Sequence, residues 1–338
     1  MGRLRVVHLV DDTTAGGVMR VLDHILTSHA LSRDADHELR VVDRYGVLAD
    51  RVRADAIVSH LAISWRMMPL VATLRAFHPR TPLVHVEHSY TEGFVAANVT
   101  HTRRFGLLLR TAFRLFDRTV AVSHAQGRWL ERSGAVPTEK LKVIQSCVDL
   151  SGFRALAPVD RPVKILGAIG RLDRQKGFDT LIKAFRQINR SDLALHIYGE
   201  GAEEAHLRHL AQDDPRIRFM GFASDPLNAM EAVDAVAMPS AWEAYGLVAI
   251  EAMAAGRPLL VNPVDGLVDH VTHGAILVSE GSVDGWRRDI LKLAEGTPPV
   301  QSVCTRQNHA FEEVFAASWN EVFRVLCSEC RGDLTTHC

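Results

Sequence analysis

Two glutamates separated by seven residues, Glu243 and Glu251, lie in the run Ser240-Ala-Trp-Glu-Ala-Tyr-Gly-Leu-Val-Ala-Ile-Glu-Ala-Met-Ala-Ala-Gly-Arg-Pro258. Paired carboxylates are the residue types for general acid and base work. Two cations occur earlier, Arg171 and Lys176, within Gly170-Arg-Leu-Asp-Arg-Gln-Lys-Gly-Phe-Asp179. A guanidinium fork beside an ammonium point charge suits a diphosphate. Taken alone, two such cations read as solvated surface charge. Beside the glutamates on one sheet edge they read as ligand-binding groups.

The elements that must position these groups are legible around them. Val233–Met238 reads as a buried strand that stops at Pro239, and a helix follows from near Gly246 to just before Pro258. Glu243 therefore falls in the loop at a strand's carboxyl end, and Glu251 about two turns into the helix. Open α/β sheets bind anions at such places, because unpaired N–H groups of the helix N-terminus point there. Arg171 and Lys176 follow the strand Val163–Ile169, Gly199-Glu200-Gly201 follows the next, and Met220-Gly-Phe222-Ala-Ser224 the one after. The glycines let backbone approach a ligand closely. Four consecutive strand ends thus carry ligand-type residues on one side of one domain, a stronger signal than any single motif.

The whole chain repeats this alternation. One series of β-branched runs covers Leu4–Val10, Glu38–Val42, Ala56–Ser59, Leu83–Val86, Thr119–Val122 and Leu141–Ile144. A second covers Val163–Ile169, Ala194–Tyr198, Arg216–Met220, Ala235–Met238, Pro258–Val261 and Ala275–Val278. Helical patterns separate most of them, which predicts two doubly wound parallel sheets. Pro158 and Pro162 mark a linker, giving domains of 1–157 and 158–307, followed by a helix and tail over 308–338. Asn308 to Leu326 carries Phe311, Val314, Phe315, Trp319, Val322 and Phe323 at helical spacing, an aromatic stripe that needs a surface to cover.

The 338 residues carry a net charge of −1, with 47% hydrophobic and 23% charged residues, a soluble globular composition without a nucleic-acid footprint. No apolar run reaches the roughly 20 residues of a membrane span, and Met1–Val10 reads as a first strand, not a signal peptide. One segment, 101–118, holds five arginines and one acid among Leu and Phe. A basic amphipathic helix can lie on an anionic membrane, and it can also be an ordinary helix with a solvated arginine face. Cys327, Cys330, His337 and Cys338 could hold zinc, but a frayed tail with reduced thiols is the preferred reading. Asp34-Ala-Asp36 is read as a solvated loop, not a metal-bridging pair. The first βα turn, Asp11-Asp-Thr-Thr-Ala-Gly-Gly17, is no dinucleotide fingerprint.

The set Gly170-Arg171-Leu172, Lys176-Gly177-Phe178, Gly199-Glu200-Gly201, Pro239-Ser240, and Glu243-x7-Glu251-Ala-Met-Ala-x-Gly256-x-Pro258 resembles the retaining glycosyltransferases of family 4. The resemblance is densest from Gly167 to Val261. It implies the GT-B fold, two Rossmann-like domains facing a cleft, with the last helix crossing back to the first domain. It implies that the second domain binds a nucleotide-sugar, Arg171 and Lys176 holding the diphosphate, Glu243 the donor sugar and Glu251 the ribose. Gly170, Gly199, Gly201, Phe222 and backbone at Tyr245, Gly246 and Leu247 complete that site. In the first domain Gly16 and Gly17 match the family's glycine pair, and His88 in Val84-His-Val-Glu-His88-Ser89 matches its histidine near the donor sugar. His85, within the strand, is read as structural. The acceptor would be a glycan or lipid-linked glycan, in exopolysaccharide, envelope-glycan or glycolipid assembly on the cytoplasmic side, peripheral to the membrane. No metal or other cofactor is required by this chemistry. Two departures stand out: Asn262 to Asp269 replaces the family's glycine pair and glutamate, and the helix after Gly17 lacks a glutamate that many members carry. Epimerase or phosphorylase chemistry, or a non-catalytic nucleotide-sugar-binding subunit, are the alternatives.

Overall fold

The computed structural model describes residues 3–44, 46–47, 50–296 and 310–332. Among these, twelve strands form two six-stranded sheets. The first holds β1 (Leu4–Val10), β2 (Ala35–Val41), β3 (Ala56–Ser59), β4 (Leu83–Glu87), β5 (Arg118–Ala121) and β6 (Leu141–Val143), in the order β2-β1-β3-β4-β5-β6. The second holds β7 (Ile165–Ile169), β8 (Ala194–Tyr198), β9 (Ile217–Gly221), β10 (Ala235–Met238), β11 (Leu259–Val261) and β12 (Ile276–Leu277), in the order β12-β11-β10-β7-β8-β9. Every pairing is parallel.

Parallel strands covered by helices on both faces become continuous apolar runs, and β3 and β10 are buried at all four positions. Edge strand β2 follows the other rule. Its burial alternates, with polar Asp36, His37 and Glu38 among its first residues, so its start is hidden from a search for apolar runs. Asp36 is accordingly not in a loop, as its sequence suggested, but in β2, opposite Arg5 in the ladder and 2.8 Å from the guanidinium of Arg3.

The chain divides into two compact units, 1–148 with 311–338, and 149–310. The division falls ahead of the expected 157/158 boundary because the proline-bearing stretch packs with the second unit. Phe153 is buried in the short helix Ser151–Ala155, which lies against the helices Pro226–Glu231 and Leu247–Ala254. Arg257 donates to the Ala157 carbonyl at 2.7 Å, and Arg161 forks onto buried Asp234 at 2.7 and 3.0 Å.

The last helix, Phe311–Gly332, belongs to the first unit although it follows the second in sequence. Phe315, Trp319, Val322, Phe323 and Leu326 are buried. The Phe315 ring lies 5.7 Å from His24, that of Phe323 5.9 Å from His37, and Glu321 pairs with Lys142 at 2.7 Å. Val314, counted in the aromatic stripe from sequence, is 62% exposed. Cys327 lies near the end of this helix, whereas His337 and Cys338 fall outside the described residues.

Trp319 is 2% exposed and stacks on Phe323. Trp319→Ala is expected to destabilise the first unit by about 3–5 kcal/mol, read as a lower denaturant midpoint in that unit. An unchanged midpoint would mean that the helix is not docked there.

Candidate functional site

The second sheet has the strand order of dinucleotide-binding folds, in which connections leave in opposite directions from two adjacent central strands. Those two strands are β7 and β10, and loops at their carboxyl ends carry Lys176 and Glu243. Lys176 Nζ lies 2.5 Å from Glu243 Oε2, with the two side chains 16% and 11% exposed. Ser240 Oγ donates to the same carboxylate oxygen at 3.1 Å. Two residues 67 apart in sequence thus form one charged, hydrogen-bonded group at the place where such sheets open.

The backbone around the pair is built to pass close. The turn holding Lys176 is capped by Asp173, whose side chain accepts from the Lys176 N–H, and it ends at Gly177 with φ 64°, where an added Cβ would stand 2.2 Å from the Pro239 carbonyl oxygen. Gly199 has φ 140°, and its Cβ would meet the Gly170 carbonyl oxygen at 1.9 Å. The ends of β7, β8 and β10 therefore touch through backbone, and only glycine permits it. Gly170 and Gly201 belong to the same cluster of close approaches.

Arg171 is placed differently from Lys176. Its side chain is 71% exposed, reaching Asp173 at 3.2 Å and Gln175 at 3.3 Å. Gln175 in turn donates to the Trp242 carbonyl at 3.2 Å, which joins the two loops. Gly246 (φ 90°) precedes the helix Leu247–Ala254 and, like Leu247, is half-buried. The Tyr245 ring is buried against His270 at 4.6 Å, so this residue offers backbone and not an aromatic surface. Phe222 follows β9 at the sheet's edge and is 62% exposed. Glu251 has no exposed surface at all: its helix is buried on every side from Ala249 to Ala254.

Sequence reasoning missed the group that holds the Glu243 loop in place. His270 Nε2 donates to the Tyr245 carbonyl at 2.8 Å. Asp265 Oδ2 accepts from Glu243 N at 3.3 Å, and Gly266 N donates to the Glu243 carbonyl at 2.9 Å. Asn262 Nδ2 donates to the Ser240 carbonyl at 3.0 Å, and buried Trp286 donates to Asn262 Oδ1 at 3.2 Å. The segment Asn262–Asp269, which departs from the family pattern, and His270 after it thus brace the loop. The segment's only sequence signal was that departure.

In the first unit, Gly16 and Gly17 begin the helix after β1 and are exposed. Gly16 is extended (φ −177°), and a Cβ there would come no nearer than 3.8 Å to other atoms, so the protein's own packing does not demand glycine. His88 follows β4 and is half-buried, its Nε2 2.9 Å from His60 Nδ1. His85 is buried within β4 between the rings of Phe113 and Phe116, as its place in the strand suggested.

The segment 163–296 matches the family model described as Glycosyl transferases group 1, and 5–151 matches the model described as Glycosyltransferase Family 4. A glycogen synthase of Mycobacterium tuberculosis is 32% identical over 237 residues, 67% of this chain and 54% of that protein. A GDP-mannose-dependent monoacylated alpha-(1-6)-phosphatidylinositol monomannoside mannosyltransferase of Corynebacterium glutamicum is 32% identical over 191 residues, 50% of this chain and 48% of that one. The chain spans about half the length of these two relatives. Among solved structures, a sucrose-phosphate synthase of Thermosynechococcus elongatus superposes with a TM-score of 0.73 at 18% identity, covering 97% of this chain and 100% of that one. Anabaena HepE, solved with UDP and glucose, superposes with a TM-score of 0.69 at 19% identity, covering 98% and 100%. The fold is the GT-B type.

Burial holds three histidines neutral: His8 is lowered to about 3, and His88 and His270 to about 4. Each folded value lies below the unfolded 6.5, so the unfolded chain binds more protons between about pH 4 and 6.5. Stability from these rings is full above 6.5 and falls as pH drops, by up to about 1.4 kcal/mol per unit per ring. Urea midpoints should decline from pH 6.5 to 4.5, and a flat profile over that interval would contradict the buried, neutral placement.

Proposed function

The chain belongs to glycosyltransferase family 4, and on that premise we propose that it moves a sugar from a nucleotide-sugar to a hydroxyl acceptor with retention at the anomeric carbon. The observation that carries this reading is the Lys176–Glu243 pair at the switch point between β7 and β10. A cation and a carboxylate fixed side by side there match the two ends of a sugar diphosphate. One neutralises phosphate, and the other accepts from sugar hydroxyls.

In the proposed reaction the acceptor oxygen attacks the anomeric carbon on the face from which the leaving group departs. The bond from that carbon to the diphosphate oxygen breaks, the bond to the acceptor oxygen forms, and the acceptor's proton passes to the departing diphosphate. Negative charge grows on the diphosphate as its bond breaks. Lys176 and the backbone N–H groups opening the helix Leu247–Ala254 are aimed at that charge before it develops. Exposed Arg171 is free to swing from Asp173 and Gln175 to the same phosphates as a planar fork. Glu243, held by Ser240 and by Asp265 through its own backbone, orients the sugar. Glu251 is assigned to the ribose, and its burial makes the helix around it a part of the protein that must adjust on binding. The first unit, with Gly16, Gly17 and His88 at its strand ends, is assigned to the acceptor.

A glycan or lipid-linked glycan is the proposed acceptor, met at a membrane surface. Among the described residues no helix is long and apolar enough to cross a membrane. The helix Thr102–Phe113 buries Leu108, Leu109, Ala112 and Phe113 and exposes Arg103, Arg104 and Arg110 beside Leu107, which is 52% exposed. Trp65, 44% exposed, lies under the Arg104 guanidinium at 6.0 Å. Arginines interleaved with an exposed leucine and tryptophan make a surface of the interfacial kind.

Four measurements test these proposals. A panel of UDP-, GDP- and ADP-sugars scored by thermal shift should raise the melting temperature with one base. Lys176→Ala should then weaken that donor about tenfold or more and lower turnover, while unchanged kinetics would remove Lys176 from the site. The same change leaves Glu243 without its partner, so a stability loss of about 3–5 kcal/mol should accompany it. Replacing Arg103, Arg104 and Arg110 together by Ser should abolish sedimentation with phosphatidylserine vesicles without changing thermal stability. Equal sedimentation would return the helix to an ordinary solvated face.

A further inference from the structure

Four histidines stand in a line across the first sheet. His37 lies in β2, His8 in β1, His60 one residue beyond β3 and His88 one residue beyond β4. These strands are consecutive neighbours, β2-β1-β3-β4, so the line spans three inter-strand steps, about 14 Å. It also climbs from the middle of β2 to the carboxyl ends of β3 and β4. The rings meet nitrogen to nitrogen: His37 Nδ1 with His8 Nε2 at 3.0 Å, His8 Nδ1 with His60 Nε2 at 3.0 Å, and His60 Nδ1 with His88 Nε2 at 2.9 Å. The His8–His60 and His60–His88 ring pairs are stacked. Among the described residues no group of side chains is arranged to hold a metal ion, and direct contacts at 2.9–3.0 Å are hydrogen-bond distances.

Proton counting restricts this line severely. A neutral imidazole has one N–H and one lone pair. His8 and His60 each use both nitrogens, so each donates on one side and accepts on the other. All four rings must therefore carry hydrogen on Nδ1, or all four on Nε2. A mixture puts two hydrogens or two lone pairs face to face. Burial is the largest influence on every ring and favours the neutral forms this counting needs.

We propose that the line is a single tautomeric unit whose outer end, at His37, decides which nitrogen of His88 bears hydrogen. His37 Nε2 is buried and makes no direct hydrogen bond, and Nδ1 is engaged with His8. The proposed unit carries the His37 hydrogen on Nε2, the commoner tautomer of a neutral histidine, and the other three rings follow. His88 then donates through Nε2 to His60 and keeps a lone pair on Nδ1. At the strand end this lone pair accepts a hydrogen bond from a sugar hydroxyl, a role that rests on the function proposed above. His8, His60 and His37 are positioning residues for His88.

Nitrogen-15 NMR of the histidine-labelled, ligand-free protein tests the unit without any assay of transfer. Single substitutions assign the rings. At neutral pH all four should be uncharged, hydrogenated on Nε2, and coupled across their hydrogen bonds. A charged ring, or one ring in the other tautomer, overturns the proposal. His37→Phe removes the terminal acceptor and should change the His88 tautomer from about 14 Å away. His37→Asn, which keeps an amide oxygen near the place of Nδ1, should preserve it. A His88 spectrum unmoved by His37→Phe overturns the coupling. In transfer assays His37→Phe should lower kcat at least about fivefold with donor KM changed less than about twofold. Unchanged kcat beside a changed tautomer overturns the use of the lone pair in transfer. A wild-type protein with no transfer activity sinks the functional reading alone and leaves the NMR result standing.

Discussion

The second unit depends on one constraint of parallel sheets. All strands end on the same edge, and at the point where the strand order reverses, the connecting chains leave to opposite sides. In this sheet that point lies between β7 and β10. The loops leaving these strands are free to face each other, and Lys176 meets Glu243 there at 2.5 Å. Removing either charge would strand the other in a mostly buried place. The pair consequently locks the two loops together. The backbone contacts Gly177–Pro239 and Gly199–Gly170 press the same strand ends together.

The brace behind this pair shows how precision is delegated. Glu243 is held through its own N–H and C=O by Asp265 and Gly266, while His270 holds the Tyr245 carbonyl. These contacts stop the loop between β10 and its helix from relaxing. The first sheet solves a similar problem differently. Its polar interior is a line of imidazoles, each satisfying the next, where an apolar core would have left His88 without a fixed hydrogen.

Much of this was legible in the sequence, and for physical reasons. Buried parallel strands are largely apolar runs, so Ala56–Ser59 and Ala235–Met238 are legible to the residue. Strand β2 was found late because an edge strand may carry Asp36, His37 and Glu38 on its polar positions. The prolines after Phe153 suggested a linker, yet side chains far away in sequence, Arg257 and Asp234, bind that stretch to the second unit. Glu243 and Lys176 were visible as a carboxylate and a cation at strand ends. Their contact was not, because 67 residues separate them. The different fates of Arg171, exposed, and Glu251, covered, were equally hidden.

By itself the sequence determined the alternation of strand and helix, the two sheets and the chemistry at each strand end, because periodicity and residue type are local properties. Only the tertiary structure decided which strand ends become neighbours. Strand order brought β7 beside β10 and ranked β2, β1, β3 and β4 in a row, and with that order came both the ion pair and the line of histidines. His8, His37 and His60 carry no signal as single residues in the chain. They become a group because three ladders of backbone hydrogen bonds place them at hydrogen-bonding distance, and distance in space is what sequence spacing does not record.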